Sequence, residues 1–343
     1  MGVGGYLLGG GLSVLNSVSG WAVDNILAVD IVLPNGTFVT ASENDHPDLF
    51  MALKGSGSNF GIVTGFELKL EAPPGDGAVF DVVVLSYPSS QAEWLLKLLS
   101  AQAKNAEQDP WTSMSLGLAL RPDSEPTLYM SIQCLNRSRT DGIMRPFMDL
   151  KPIDILWEEH TQHSFGKLVE ESNPKSFCQH KSTFTSRSHA WYATGLLKEW
   201  ADLFNEVDFE DEAFQAGVLI QPLTVPHIRS GNGNVMGLGL GLGEETDALL
   251  LWSFEIKHSY DANSSHDKYA KRVSTLVGSH QEDEMNHPFR YINYASADQD
   301  GFAAFKRNED RWTWLKEAKG KDDPDRWWER WNGGQDGPFK INS

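Results

Sequence analysis

Features that would define many classes of protein are scarce or absent in this sequence of 343 residues. Its two cysteines, Cys134 and Cys178, are too few for a disulfide framework, and their spacing leaves open whether they pair with each other. No apolar run approaches the roughly 20 residues that span a bilayer. No basic segment followed by an apolar stretch indicates a secretory signal. The sequence therefore predicts no membrane partner and leaves the cellular compartment unknown.

Positive charge is scarce as well. The chain has 29 Lys and Arg residues against 47 Asp and Glu residues, which gives a net charge of −18 at pH 7. Nucleic-acid binding relies on Lys and Arg to neutralise phosphates, so this balance argues against a nucleic-acid partner. A complete metal-ligand motif is absent from the sequence as well. His160 and His163 have the spacing of a ligand pair, but no Cys, Asp or Glu constellation completes a site, and we predict no metal.

The hydrophobic residues, 40% of the chain, are sufficient to bury a large core, and the length suggests two domains. The run Pro73-Pro74-Gly75 interrupts any regular element and is typical of a domain boundary. Strands interleaved with helices without strict alternation favour an α+β fold with a largely antiparallel sheet. The predicted strands cover 26–33, 37–40, 61–70, 82–87, 114–120, 127–134, 216–222 and 248–256. The predicted helices cover 48–54, 90–102, which a Ser90–Glu93 capping box opens, and 190–204.

The most informative feature that is present is the glycine-rich start, Met1-Gly-Val-Gly-Gly-Tyr-Leu-Leu-Gly-Gly-Gly-Leu-Ser. Such a cluster predicts a loop whose backbone N–H groups come close to a bulky ligand. It is not the dinucleotide-binding fingerprint, because Leu7 stands where the third glycine belongs and no strand precedes the run. It is not a phosphate-binding P-loop either, because no Gly-Lys-Ser/Thr follows.

Further motifs follow in order along the chain. They are Gly20-Trp21-Ala22-Val23-Asp24-Asn25-Ile26, Val32-Leu33-Pro34-Asn35-Gly36-Thr37, Asp48-Leu49-Phe50-Met51-Ala52-Leu53-Lys54-Gly55, Asn59-Phe60-Gly61-Ile62-Val63-Thr64, Asn234-Val235-Met236-Gly237-Leu238, Tyr291-Ile292-Asn293-Tyr294 and Asp323-Pro324. Together with the glycine-rich start, this ordered set resembles the berberine-bridge-enzyme-like family, FAD-linked oxidases of the vanillyl-alcohol-oxidase fold. The resemblance spans nearly the whole chain and is specific.

The resemblance implies an α+β chain in three parts. Residues 1–75 are expected to be the second half of a PCMH-type FAD-binding domain. Residues 76–285 are expected to be a substrate domain with a largely antiparallel sheet flanked by helices, and residues 286–343 a C-terminal segment that returns to the FAD domain. The implied activity is hydride removal from a small organic substrate bound on the sheet, with FAD as cofactor and O2 as acceptor, in secondary metabolism.

The resemblance also assigns roles to residues. Those expected to hold the cofactor are Gly4, Gly5, Gly9, Gly10, Gly11, Asp24, Asn25, Asn59, Gly61, Ile62, Val63 and Asn293. Tyr294, and after it Tyr291, is the candidate general base that takes the substrate proton as hydride moves to the flavin. A phenol with an ordinary pKa near 10 needs a lowered pKa to do this near neutrality. Gln221 is the candidate substrate contact. From the residues alone, core packing of both tyrosines remains an alternative.

The chain departs from the family pattern in what anchors the flavin. Family members carry an upstream half of the FAD domain, in which a histidine is bonded to the flavin. Many members also have a cysteine that is bonded to the flavin. Neither Cys134 nor Cys178 stands at the matching position. We therefore expect this chain to hold FAD weakly or not at all. Near the C-terminus Asp322 stands where a tyrosine is usual, and Trp327-Trp328 replaces a phenylalanine region.

Two other interpretations are kept. One is a non-redox protein on the same scaffold, which binds a small molecule or guides a cyclisation. The other is an inactive, truncated gene product.

Overall fold

A computed structural model describes residues 2–70, 80–122, 124–135, 142–161, 178–206, 214–230, 233–237, 248–258, 264–325, 327–328 and 341. Contacts divide the chain into two compact units. The first comprises Met1–Glu71, Pro226–Thr246 and His287–Ser343, and the second comprises Ala72–Val225 and Asp247–Asn286. The predicted boundaries near residues 75 and 285 remain predictions. By its contacts, Pro226–Thr246 belongs to the first unit, whereas the sequence interpretation assigned it to the substrate domain.

The first unit contains a three-stranded antiparallel sheet in the order β2-β1-β3. Its strands are β1 (Ile26–Val32), β2 (Phe38–Ser42) and β3 (Ile62–Leu68). The turn between β1 and β2 forms where expected, since the Asn35 side chain accepts a hydrogen bond from the Thr37 backbone N–H at 2.9 Å. Apolar residues on one face of this sheet, Val29, Ile31 and Ala41, are buried and hold it against the rest of the unit.

Helices complete the first unit. They are α1 (Val3–Leu8), α2 (Asn16–Ser19), a 3₁₀ turn at Ala22–Asn25, α3 (Pro47–Leu53), α7 (Val225–Ser230), which begins at the unit boundary, a second 3₁₀ turn at Phe305–Arg307, and α9 (Glu309–Asp322). The predicted glycine loop is therefore wrong at Gly4 and Gly5, which lie inside α1. Glycine disfavours a helix by only about 1 kcal/mol, and burial of Leu7 and Leu8 offsets that cost.

The second unit contains a seven-stranded sheet in the order β7-β4-β6-β5-β9-β10-β8, and every neighbouring pair is antiparallel. Its strands are β4 (Phe80–Pro88), β5 (Thr112–Leu120), β6 (Thr127–Leu135), β7 (Asp154–Thr161), β8 (Cys178–Arg187), β9 (Gln215–Leu223) and β10 (Leu249–His258). The predicted α+β class with a largely antiparallel sheet is confirmed.

Helices α4 (Ala92–Lys104), α6 (Ala190–Asn205) and α8 (Ser264–Ser279) pack on one face of this sheet, and α5 (Arg145–Asp149) follows β6. Residues alternate between the two faces of each strand. Leu116, Val218 and Trp252 therefore point towards the helices and are buried among Leu99 and Trp200. This apolar face is the main core of the second unit.

The predicted elements agree with the structure to within a few residues. One correction concerns how helix α4 begins. Helix α4 begins at Ala92, after a 3₁₀ turn at Ser89–Gln91, and no side chain caps its start. The predicted Ser90–Glu93 capping box is therefore wrong, because Ser90 lies inside the 3₁₀ turn. Glu93 forms an ion pair with Lys97 instead, at 2.6 Å.

Candidate functional site

Tyr291 joins the glycine-rich segment to the tyrosine turn within the first unit. The hydroxyl oxygen of this buried tyrosine accepts hydrogen bonds from the backbone N–H of Leu12 at 3.0 Å and from Asn293 Nδ2 at 3.1 Å. Burial raises the pKa of Tyr291, and its hydrogen bonds oppose that shift only in part. A raised pKa is the reverse of what a phenolate base near neutrality requires, so these contacts favour a positioning role for Tyr291.

Tyr294 lies on the same turn and differs in exposure. Its backbone N–H donates to the carbonyl oxygen of Tyr291 at 2.8 Å, which closes the turn. The two rings contact edge to face, with centroids 4.7 Å apart. Tyr294 is half-buried, whereas Tyr291 is almost fully buried. Of the two candidates, Tyr294 is the one that a bound molecule can reach.

Asn293 lies between these tyrosines and the glycine segment. Its Nδ2 also donates to the carbonyl oxygen of Tyr6 at 3.3 Å. A Cβ atom placed on Gly9 would overlap the Asn293 side-chain amide. Only glycine fits at position 9, because the Asn293 side chain occupies the space that a Cβ would need. These two residues are 284 positions apart in sequence and pack directly against each other.

Gly10 and Gly11 have left-handed backbone conformations, with φ values of +115° and +78°. A Cβ on Gly10 would lie 2.4 Å from the Met236 sulfur, and a Cβ on Gly11 would lie 2.9 Å from a ring carbon of Tyr6. Within the described residues, these two glycines give close approach to protein side chains. The sequence prediction assigned the same closeness to a ligand, and that assignment remains a prediction.

Gly4 differs from these three glycines. A Cβ built on it would meet no atom within 4 Å from the described chain outside its own helix, and the residue is half-buried. Gly5, the next residue of α1, is exposed. The backbone of this turn is therefore the part of the glycine-rich segment that a large planar group can approach.

Asp24 and Asn25 lie in the 3₁₀ turn that follows. The Asp24 carboxylate accepts hydrogen bonds from the Trp21 backbone N–H at 3.1 Å and from Asn234 Nδ2 at 2.9 Å. Burial raises its pKa, and the bond from Asn234 lowers it in part. Asn25 Nδ2 donates to the carbonyl oxygens of Ser19 at 2.7 Å and Trp21 at 3.0 Å. Both side chains thus fix the local backbone.

The segment before β3 contains the remaining cofactor candidates. Asn59 Nδ2 donates to the Ser56 carbonyl oxygen at 2.6 Å. Gly61 has φ +148°, and a Cβ there would overlap the carbonyl oxygen of Val32, so its identity is dictated by packing on β1. Ile62 is exposed and Val63 is half-buried at the start of β3. Ile62 is therefore not part of the core of the first unit.

Three buried polar atoms of the first unit have no hydrogen-bond partner among the described residues. They are Ser56 Oγ and Trp21 Nε1, whose residues are fully buried, and Ser296 Oγ, two residues after Tyr294. Buried donors are nearly always paired in folded proteins, with protein, water or ligand. They are therefore the positions in this unit where a bound polar group would remove an energetic cost.

His227 on α7 belongs to the same cluster, and the sequence interpretation did not include it. Its ring lies 4.2 Å from the Trp21 ring, centroid to centroid, and its Nε2 is 2.6 Å from Asn16 Nδ2. The Asn16 amide donates, so His227 Nε2 accepts and the proton is on Nδ1. Burial lowers the pKa of His227 to about 3, so the ring is neutral at pH 7. A lone histidine gives no signal in sequence that could have identified this contact.

Gln221, the candidate substrate contact, lies on β9 in the second unit. Its neighbour Ile220 points to the helices, so Gln221 is on the opposite face and is half-buried. In the sheet register it stands beside Leu251, which stands beside Thr185. The hydroxyls of Thr185 and Ser253, both on this face, are buried without a hydrogen-bond partner in the described part of the chain. This face can thus offer hydrogen bonds to a polar molecule.

Neither metal nor membrane binding receives support from the described ranges. No group of three potential metal-ligating side chains occurs in them. His160 lies on β7, and His163 falls outside the described residues. No helix in the ranges described is long and apolar enough to cross a bilayer.

Sequence comparison relates the chain to flavin-dependent enzymes. It is 30% identical to the FAD-dependent monooxygenase tpcD of Cochliobolus heterostrophus over 95% of this chain and 64% of that protein. It is 51% identical to an uncharacterized FAD-linked oxidoreductase of Arthroderma benhamiae over 65% of this chain and 44% of that protein. The chain thus spans less than two thirds of the length of these curated relatives. No family model matches.

Solved structures with the same fold agree with this relationship. The xylooligosaccharide oxidase of Myceliophthora thermophila C1, in complex with xylobiose, superposes with a TM-score of 0.73 at 21% identity. The match covers 95% of this chain and 69% of that one. BBE-like 1 of Physcomitrella patens gives a TM-score of 0.71 at 17% identity, with 95% and 69% coverage. The predicted resemblance to FAD-linked oxidases is confirmed.

Proposed function

Because this chain is related in sequence to FAD-dependent oxidoreductases and shares the fold of the berberine-bridge-enzyme-like oxidases, we propose that it is an FAD-linked oxidase that removes hydride from a small organic substrate. One observation of its own geometry carries the proposal. The Tyr291–Tyr294 turn and the glycine-rich segment, both predicted to contact the same flavin, form one hydrogen-bonded cluster through Leu12, Tyr291 and Asn293. O2 is the proposed acceptor.

The residues present fit an FAD molecule at this cluster. The α1 backbone at Gly4 is open, and Ser56 Oγ and Trp21 Nε1 lack partners in the described chain. A flavin needs close backbone approach and hydrogen-bond donors of this kind. Gly4, Gly5 and Ser56 are therefore the residues we propose to hold it. When bound, FAD supplies the acceptor for the substrate hydride.

Residues of this chain have three further roles, which are proton transfer, positioning of the tyrosine turn and contact with the substrate. Tyr294 takes the proton from the substrate hydroxyl or amine as its phenolate, since its side chain is the one that a substrate can reach. Tyr291 and Asn293 hold the turn against Leu12 and Tyr6. On the sheet face of the second unit, Gln221 contacts the substrate.

We also propose that this chain binds FAD weakly and without a covalent bond. Gly9, Gly10 and Gly11, three of the predicted cradle positions, approach Asn293, Met236 and Tyr6, so a smaller part of the glycine segment is left for the cofactor. Cys134 is buried on β6 in the core of the second unit. Weak binding lowers occupancy, and the holoenzyme forms only when FAD is in excess over its dissociation constant.

The test is purification with and without added FAD, followed by equilibrium dialysis and a visible spectrum. We expect flavin absorption bands only with FAD in excess, and complete release of flavin on acid precipitation. The flavin complex is then mixed with a panel of alcohols, amines and sugars, and no dithionite is added. Reduction of the flavin by one of these compounds, followed by reoxidation in air, identifies an oxidase. A chain that binds no FAD at millimolar concentration contradicts the proposal and supports a non-redox function. Flavin that stays in the acid pellet contradicts the weak, non-covalent mode.

A further inference from the structure

A cavity of about 320 Å³ lies in the first unit, and none of its lining residues belongs to the candidate flavin or substrate site. It is formed by α3, the segment 233–237, the 3₁₀ turn at Phe305–Arg307 and the first turns of α9. The lining residues are Met51, Asn234, Val235, Phe305, Asp310, Arg311 and Trp314. Small-molecule sites usually occupy about 300–1,000 Å³. This volume is near the lower limit and accommodates one or two fused rings.

The walls of the cavity are apolar and partly aromatic. Phe305 and Val235 are buried, while Trp314 and Met51 are half-buried. Aromatic rings pack favourably on other rings and on methionine sulfur. A flat aromatic molecule therefore makes better use of these walls than an aliphatic one of equal volume.

The charged groups of the lining restrict the ligand further. Asp310 and Arg311 contribute one negative and one positive charge, and the Arg311 guanidinium lies 5.7 Å from the Phe305 ring centroid. The net charge of −18 on the chain disfavours an anion, and the guanidinium at the cavity disfavours a cation. An acceptor beside Arg311 and a hydroxyl beside Asp310 are the groups that this pair can bind without a net charge.

We propose that this cavity is a binding site for a neutral aromatic molecule of one or two fused rings that carries a hydroxyl or carbonyl group. The site is separate from the proposed oxidase function. It borders the flavin cluster through Asn234, which lines the cavity and whose side chain donates to Asp24 at 2.9 Å. Met236, two residues further, contacts Gly10.

The experiment uses three naphthalene probes that share one ring system and differ in the charge of their substituent at pH 7. They are 2-naphthol, which is neutral, 2-naphthoate, which is an anion, and 2-(aminomethyl)naphthalene, which is a cation. Isothermal titration calorimetry of the purified chain without added FAD gives their affinities. We expect saturable 1:1 binding of 2-naphthol, at least about tenfold tighter than either charged probe.

Two variants of the lining identify where the probe binds. Val235→Trp fills the cavity, and Trp314→Ala removes an aromatic wall, so each is expected to weaken 2-naphthol binding by about tenfold or more. The matched controls are Val3→Trp and Trp94→Ala, because both residues are exposed and lie outside the cavity. Both controls are expected to bind 2-naphthol like the parent. Trp314 is half-buried, so its variant keeps the test informative if Val235→Trp fails to fold.

Three results obtained without FAD overturn the proposal. They are absence of 2-naphthol binding, equal affinity for the charged probes, and unchanged affinity in a folded Val235→Trp or Trp314→Ala variant. None of these depends on FAD, so the cavity proposal and the oxidase proposal fail independently. Addition of FAD to the 2-naphthol complex then shows whether the probe has bound in the flavin cluster instead. Displacement by FAD would assign the binding to that cluster and also overturn the proposal.

Discussion

The backbone N–H of Leu12 donates to the hydroxyl oxygen of Tyr291, 279 residues later in the chain. This bond joins the end of the glycine-rich segment to the tyrosine turn, and it makes Tyr291 part of the fold of the first unit. We expect Tyr291→Phe to destabilise that unit by about 1–3 kcal/mol, because the Leu12 N–H and Asn293 Nδ2 both lose the acceptor that the buried hydroxyl provides. Thermal unfolding measures the effect. Tyr291→Phe with unchanged stability would show that this hydrogen bond is dispensable.

Tyr294→Phe should have the opposite profile. It removes a hydroxyl from a half-buried ring, so we expect little change in stability. With FAD in excess, the variant should reduce flavin about 10²–10⁴-fold more slowly, which is the usual contribution of a positioned general base. Stopped-flow absorbance at the flavin bands measures the rate. Tyr192→Phe, on α6 in the second unit, is the matched control and should keep the parental rate. If Tyr294→Phe reduces flavin at the parental rate, another residue is the base.

The strands and helices of this chain could largely be predicted from sequence, because their signals are local. The alternation of apolar residues in β5 and β9 follows directly from the two faces of a sheet. The glycine segment shows where local reasoning fails. Gly4 and Gly9 have the same sequence signal, yet one faces open space and the other faces Asn293. Only long-range packing distinguishes them.

The candidate site was predictable only where a motif carried it. Tyr291, Asn293 and Tyr294 were identified through their resemblance, although their separate roles in packing and reaction were not resolved. His227 and Asn16 were missed because their contact at 2.6 Å joins residues 211 positions apart and neither belongs to a recognisable pattern. Buried atoms without partners, such as Ser56 Oγ, likewise become visible only once the fold is known.

Gly4 and Gly9 provide a matched pair for testing the proposed FAD contact. Gly4→Ala adds a methyl group in open space within α1, so stability should rise by up to about 1 kcal/mol. If FAD approaches this backbone, its affinity should nevertheless fall, which equilibrium dialysis detects. Gly9→Ala should lower the thermal midpoint instead, because the new methyl overlaps Asn293. Unchanged FAD affinity in Gly4→Ala would remove this residue from the cofactor site.

An apolar row crosses the exposed face of the three-stranded sheet. Val32 on β1 stands between Phe38 on β2 and Ile62 on β3, and the last two side chains are 59% and 50% exposed. Exposed apolar patches bind hydrophobic dyes and promote association. We expect Phe38→Ser to reduce dye fluorescence and light scattering of the purified chain. Trp191→Ser, at an equally exposed position on α6, is the control and should have the smaller effect. Equal effects would mean that the row is not a preferred contact surface.

His227 should make the first unit sensitive to acid. Its pKa in the folded protein is about 3, whereas the ordinary value is 6.5, so between these pH values the unfolded chain binds a proton that the folded chain does not. Stability therefore falls as the pH is lowered through this range, by at most about 1.4 kcal/mol per pH unit. Full stability returns above pH 6.5.

The measurement is urea unfolding at several pH values for the parent and for His227→Gln. Glutamine keeps an acceptor for Asn16 Nδ2 but does not titrate, so the variant should lose part of the pH dependence between about 3 and 6.5. Burial raises the pKa of Asp24, so the folded state takes up this proton at a higher pH than the unfolded state does. Asp24 therefore makes stability rise on acidification, which is opposite to the effect of His227. The contribution of Asp24 is present in both proteins and cancels in the difference. If the stability of both proteins changed with pH in the same way, the pKa of His227 would be the same in the folded and unfolded states. That result would contradict the lowered pKa that follows from its burial.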